Sequence, residues 1–147
     1  MKQTALLIIA VLFAAAAVPA SVQAHQDDLG DIVVSHAYAE PATKGGASRV
    51  RFGIENTSGQ TIQLLGMEIE AAQSSEIRVD IGDGQSAPLN SLGIRPGEIV
   101  EFERTAWVQL YNLKRPLVTG KMVEGHLMIA GWPCIPIQVS VGNSVID

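Results

Sequence analysis

The chain has 147 residues with ten basic and fifteen acidic side chains, a formal net charge of −5 and one cysteine. This acidic balance argues against partners such as nucleic acid or anionic lipid head groups, because both call for a basic face on the protein. A single cysteine excludes an internal disulfide, so the core alone has to stabilise the fold.

Residues 1–24 are predicted to be a cleaved secretory signal peptide. A short start that contains Lys2 is followed by an unbroken apolar run over residues 5–18, and Val22-Gln23-Ala24 has the small-x-small pattern that signal peptidase accepts. Polar residues follow at once, which favours cleavage over a membrane anchor. We therefore expect a mature periplasmic protein of residues 25–147 that is not inserted in a membrane. Without Lys2 it has nine basic and fifteen acidic residues, a net charge of −6.

The dominant period of the mature chain is two residues, which is typical of half-buried strands. Val50, Phe52 and Ile54 alternate with polar or small residues, and Ile77, Val79 and Ile81 are expected to point inward between Glu76, Arg78 and Asp80. Turn residues separate the segments. The pattern predicts one all-β domain, an antiparallel Greek-key β-sandwich of about eight strands, at residues 31–39, 49–55, 60–70, 76–81, 98–104, 107–113, 126–130 and 136–141.

Sequence motifs of catalysis are missing. The chain contains no G-x-S-x-G elbow, no H-E-x-x-H pair and no glycine-rich phosphate loop. Three histidines and many carboxylates always permit an imagined triad, so their presence alone indicates nothing. We therefore expect a protein that is not an enzyme.

Four segments, in this order, resemble the periplasmic copper chaperones of the PCu(A)C family. Residues 30–39 resemble its opening strand, although Glu40 stands where Arg is usual, and residues 51–56 resemble its second strand and turn. Residues 92–97 resemble its proline-glycine turn, and Leu113-Lys114-Arg115-Pro116-Leu117 followed by Gly120 matches another of its elements. The resemblance implies a cupredoxin-like β-sandwich that binds Cu(I) and assists its delivery to a respiratory oxidase.

The copper ligands that the resemblance implies are substituted in this chain. The family uses His and Met, the imidazole and thioether ligands that suit Cu(I). The resemblance places the first His at Arg78, a Met within residues 86–89, and a His-x-Met pair at Val108 and Leu110. No His, Met or Cys occurs anywhere from Glu68 to Lys121. We therefore predict that the family's copper site is absent and that no cofactor is held there.

Copper has two other candidate positions. His126 and Met128 form a His-x-Met pair on a predicted strand, with Leu127 and Ile129 on its core side and Met122 or Cys134 as further sulfur ligands. The alternative is an ordinary surface strand whose Met fills a gap. At the second position, the free amine and ring of His25 would chelate Cu(II), with His36 or His126 completing the site. The alternative there is an unliganded chain terminus.

Two further features concern protein partners. Cys134 lies between prolines and apolar residues, which favours a buried small side chain over a disulfide between two chains. If Val108 and Leu110 point into the core, Trp107 and Tyr111 lie on the opposite face, either as a contact surface for a periplasmic protein or beneath a neighbouring loop. A metal-free interaction module is therefore the alternative to a copper-handling protein.

Overall fold

The computed structural model describes residues 26–28 and 30–142, which form eleven strands. No helix that could cross a membrane occurs among these residues. The strands are β1 (Gln26–Asp28), β2 (Ile32–Ala39), β3 (Ser48–Asn56), β4 (Ile62–Ile69), β5 (Ala72–Gly82), β6 (Gln85–Leu89), β7 (Leu92–Ile94), β8 (Ile99–Phe102), β9 (Ala106–Leu113), β10 (Met122–Ile129) and β11 (Ile135–Val141).

The strands share one hydrogen-bonded network in the order β6-β5-β9-β3-β2-β11-β10-β4-β7, with β1 added to β2 and β8 added to β3. The network folds over itself into a β-sandwich, as predicted. The prediction of a purely antiparallel sheet is wrong at one point, since β2 and β11 pair in parallel through Tyr38–Ser140 and Ala39–Val141. This contact joins the two ends of the described chain within the sheet.

All eight predicted strands are confirmed, whereas three short strands were not predicted. The missed strands are β1, β6 and β7, of three to five residues each. Strands β6 and β7 lie at the two ends of the strand order. Strand β6 contains Pro88, which has no backbone N–H, and an edge strand tolerates proline because one of its two sides forms no hydrogen bonds with a neighbouring strand. The three residues of β1 and of β7 are too few for an alternating pattern to be visible, and the sequence of β6 combines Pro88 with small and polar residues that do not indicate a strand.

One apolar core lies between the layers. Val50, Phe52 and Ile54 are all buried, and the Phe52 ring stacks on Phe102 with 4.5 Å between the ring centroids. The predicted inward position of Ile81 is wrong, since its side chain is 60% exposed. Strand β5 is eleven residues long and extends past the core before the turn at residues 82–84.

Candidate metal and interaction sites

The outer face of β5 and β9 carries a connected polar network centred on Arg78. Its guanidinium lies 2.6 Å from the Glu76 carboxylate and donates hydrogen bonds to the hydroxyl and the carbonyl of Ser86, each at 2.8 Å. The Tyr111 hydroxyl donates to the same Glu76 oxygen at 2.6 Å. Glu76 and Arg78 lie on β5, Ser86 on β6 and Tyr111 on β9, so the network links three adjacent strands.

The hydrogen bonds of this network shift the pKa values of Glu76 and Tyr111 in opposite directions. The Tyr111 hydroxyl, followed by the Arg78 guanidinium, lowers the pKa of Glu76 below its ordinary value of 4.5. The same bond raises the pKa of Tyr111 above 10.0, because the hydroxyl proton is held by a carboxylate. The network therefore favours an ionised Glu76 beside a neutral Tyr111.

The Trp107 indole is covered, which disfavours the first of its two predicted roles, an exposed contact; the cover is the Arg49 side chain of β3. Trp107 is only 7% exposed, and the Arg49 guanidinium lies over its ring at 4.5 Å from the centroid. Its ring N–H donates to the Gln109 side-chain oxygen at 3.0 Å, and Gln109 in turn donates to the Ser48 carbonyl at 3.1 Å. Tyr111 is half-exposed. Of the two predicted contact residues, Tyr111 alone is available at the surface.

Of the four positions where the resemblance placed ligands, residues 86–89 lie on β6 beside Arg78, whereas Val108 and Leu110 do not converge with it. Val108 and Leu110 are fully buried in the core, whereas Arg78 lies on the outer face, where Trp107 and Gln109 are its neighbours on β9. Arg78 pairs with Trp107 across the two strands, so these two side chains share a face. Successive side chains of a strand point to opposite faces. Val108 and Leu110 therefore point away from Arg78 and cannot join it in one site. Arg78 pairs with Glu76, and the Asp80 carboxylate accepts a bond from the Gly82 N–H.

His126 and Met128 do lie together on the outer face of β10. His126 is exposed and Met128 is half-buried, while Leu127 and Ile129 between and beyond them are buried in the core, as predicted. On the neighbouring strand β4, Glu68 pairs with His126 and Gly66 pairs with Met128. The sequence does not connect Glu68 or Gly66 with this pair, because strand pairing is not visible in the spacing of the motif.

These side chains line an open groove of about 530 Å³ between the β4–β10 face and the start of β5. Its lining includes Glu68, Glu70, His126 and Met128, together with Ser74 and Lys114. In the part of the chain that the structure describes, no group of three or more His, Cys, Asp or Glu side chains could hold a metal ion. A metal in the groove would therefore depend on the Met128 sulfur as well as on the imidazole.

The other candidate ligands lie elsewhere. Met122 is at the start of β10, four residues from His126, which is about 13 Å along a strand. Cys134 is exposed, so the favoured prediction of a buried thiol is wrong; it lies in the β10–β11 turn, outside the apolar core. His36 is exposed at the bulge of β2, where its φ is 51°. His25 lies outside the described residues.

Comparison with solved structures identifies the fold. The copper-bound PCuAC domain from PmoF2 superposes with a TM-score of 0.70 at 16% identity, over 82% of this chain and 99% of that domain. The apo PCuAC domain from PmoF1 gives 0.68 at 20% identity over 82% and 100%. Apo-DR1885 from Deinococcus radiodurans gives 0.57 at 22% identity over 99% and 98%.

Comparison of sequences adds no further relative. No family model and no curated protein matches the chain. Identities of 16–22% show a shared fold and leave the ligands to be read from this chain's own residues. The chain thus has the fold of the PCuAC domains, and its polar network includes Arg78, the position where the resemblance located the first copper ligand.

Proposed function

We propose that this protein is a periplasmic, non-enzymatic copper-handling accessory protein of the PCuAC type that delivers Cu(I) to the copper centre of a respiratory oxidase. The observation that carries the proposal is the superposition on PCuAC domains along nearly their full length, one of them copper-bound. The predicted signal peptide supports the compartment, and the pairing of an imidazole with a thioether on β10 supplies ligands of the type Cu(I) prefers.

The Arg78 network takes no part in binding copper in this proposal. Arg78 carries a permanent positive charge, and the side chains beside it are hydrogen-bonded to one another and to it. A cation at this face would meet that charge and would have to break those bonds. The network instead links β5, β6 and β9 without a metal ion.

An anaerobic competition titration against a chromogenic Cu(I) chelator tests the proposal. The protein is expressed with its own leader, purified from the periplasm of the host, and compared with its Cys134→Ser variant, because an exposed thiol binds Cu(I) by itself. We expect about one Cu(I) per chain in both proteins. Binding that disappears with Cys134 would be adventitious and would overturn the proposal, as would an absence of competition.

The alternative function is a metal-free interaction module that binds a periplasmic protein. One observation favours it, namely that Glu76, Arg78 and Tyr111 form an ordered, partly exposed group of charged and aromatic side chains. Arg and Tyr are common at the centres of protein interfaces. A protein that binds no Cu(I) but captures a partner through this group, with capture lost in Tyr111→Ala, would establish this alternative.

A further inference from the structure

We propose that His126 and Met128 bind one Cu(I) ion through an imidazole nitrogen and the thioether sulfur, at the mouth of the groove between β4, β10 and β5. The inference rests on the proposed copper-handling function and assigns it a position. The proposed site lies on β10 and β4, whereas the substituted positions of the family site lie on β5, β6 and β9.

The strand geometry brings the two ligands within reach of one ion. His126 and Met128 are two residues apart on β10 and so project from the same face, about 7 Å apart along the strand. Both side chains are long and have rotatable bonds, so their ends can converge over Leu127. Leu127 itself is fully buried below them and fixes the direction in which its neighbours point.

A bulge in β4 lies directly beside the Met128 side chain. The β4–β10 register shifts between Met128 and Ile129, so that β4 has one extra residue, Leu65, between the partners Leu64 and Gly66. Gly66 has a φ of 152°, and a Cβ built on it would lie 3.4 Å from the terminal methyl of Met128. The terminal methyl of Met128 therefore lies over Gly66, a residue without a side chain. Bulges commonly change the direction of nearby side chains.

The charge around the pair favours a cation. Glu68 is the cross-strand partner of His126, and Glu70 lines the same groove, against one lysine, Lys114. The structure gives neither Glu68 nor Glu70 a salt bridge among the described residues. Carboxylates suit harder ions than Cu(I), so their contribution is an attractive potential, while the sulfur of Met128 selects for the soft ion.

The experiment is a carbon–proton correlation spectrum of methyl-labelled methionine in the Cys134→Ser protein, recorded anaerobically with and without Cu(I). Three methionines lie in the described strands: Met67 in the core, Met122 exposed and Met128 in the groove. Cu(I) has a filled d shell and leaves the spectrum sharp, so each methyl reports on its own sulfur. We expect the Met128 methyl to shift and the Met67 and Met122 methyls to stay in place.

Variants complete the test. His126→Ala and Met128→Leu should each weaken Cu(I) binding by at least about tenfold, because even residues that only orient a metal ligand cost that much. The controls are His36→Ala, which like His126 is exposed, and Met122→Leu, on the same strand as Met128; both variants should bind as the parent does. An unchanged chemical-shift dispersion in every apo protein confirms folding.

The outcomes separate the two proposals. Cu(I) binding with an unshifted Met128 methyl, or binding that survives His126→Ala, would overturn this site and leave the copper-handling function standing. Loss of binding on His25→Ala alone would move the site to the chain terminus, with the same consequence. No Cu(I) binding by the parent would overturn both proposals.

Discussion

At the scale of single residues, the network around Glu76 shows how a set of hydrogen bonds can join strands without a metal. The Glu76 carboxylate accepts from both Tyr111 and Arg78 at 2.6 Å. Bonds to an ionised acceptor are short and comparatively strong. The partial exposure of all three side chains limits their contribution, because water competes for the same groups.

Removal of the Tyr111 hydroxyl should cost a small, measurable amount of stability. Tyr111→Phe keeps the ring and deletes one bond to Glu76, so we expect the free energy of unfolding to fall by about 0.5–1 kcal/mol. The control is Tyr38→Phe, whose hydroxyl receives a weaker bond from Arg51 at 3.5 Å. Thermal melts measure both variants. An equal or larger loss of stability in Tyr38→Phe would show that the Tyr111–Glu76 bond contributes no more to stability than the weaker Arg51–Tyr38 bond.

The lowered pKa of Glu76 predicts a pH dependence of stability. Because the pKa in the folded state lies below the ordinary 4.5, the contribution of Glu76 is fully present above that pH and is lost as pH falls through the folded-state value. The difference in melting temperature between the parent and Glu76→Gln should therefore be largest near neutral pH and shrink below pH 4.5. A difference that stays constant from pH 7 to pH 3 would contradict the assignment.

At the scale of elements, alternation in the sequence was sufficient to predict eight of the eleven described strands and many of their inward residues, but not the exposed position of Ile81. Val50, Phe52 and Ile54 are buried as expected, and so are Leu127 and Ile129. The contact between Arg49 and the Trp107 ring was not predicted, because Arg49 lies on β3, which is far from Trp107 in the sequence. Exposure of Cys134 was missed because apolar neighbours suggest burial even in a turn that lies outside the core.

The candidate copper site could be predicted only in part. Spacing alone placed His126 and Met128 on one face, since the period of a strand is two. Their partners Glu68 and Gly66 depend on the pairing of β10 with β4. One signal of the bulge is visible in the sequence of β4, where the buried residues change from even positions, Ile62 and Leu64, to the odd position Met67.

The β4–β10 ladder should tolerate no added side chain at Gly125. A Cβ there would lie 2.6 Å from the terminal methyl of Ile69 and 2.9 Å from the Glu68 carbonyl oxygen, which cannot move without disturbing the ladder. Gly125→Ala should therefore lower the free energy of unfolding by about 1–3 kcal/mol.

Gly53→Ala is the matched control for this prediction in denaturant unfolding. The Cβ added at Gly53 would meet the ends of two movable side chains, the Ser35 hydroxyl at 2.5 Å and the Glu101 carboxylate at 2.9 Å. We expect a smaller loss of stability there. A Gly125→Ala protein as stable as the parent would mean that β4 and β10 are less closely packed than described.

At the scale of the whole molecule, the proposed function requires that the protein is exported to the periplasm, where we propose that it handles copper. A host with an intact secretion pathway should release a protein whose first residue is His25, detected by intact-mass spectrometry of the periplasmic fraction. Substitution of Ala24 by a large residue should block cleavage there, because signal peptidase requires a small residue at that position. Retention of residues 1–24 on the purified parent protein would contradict the predicted compartment.

The position of a bound copper ion is the most direct test of the proposed site at His126 and Met128. Crystals of the Cys134→Ser protein loaded with Cu(I) can be measured at the copper absorption edge, where anomalous scattering locates the ion directly. We predict one peak between the His126 ring and the Met128 sulfur, and none beside Arg78 and Gln109. A peak on the Arg78 face, or crystals soaked in Cu(I) that show no peak, would contradict the account.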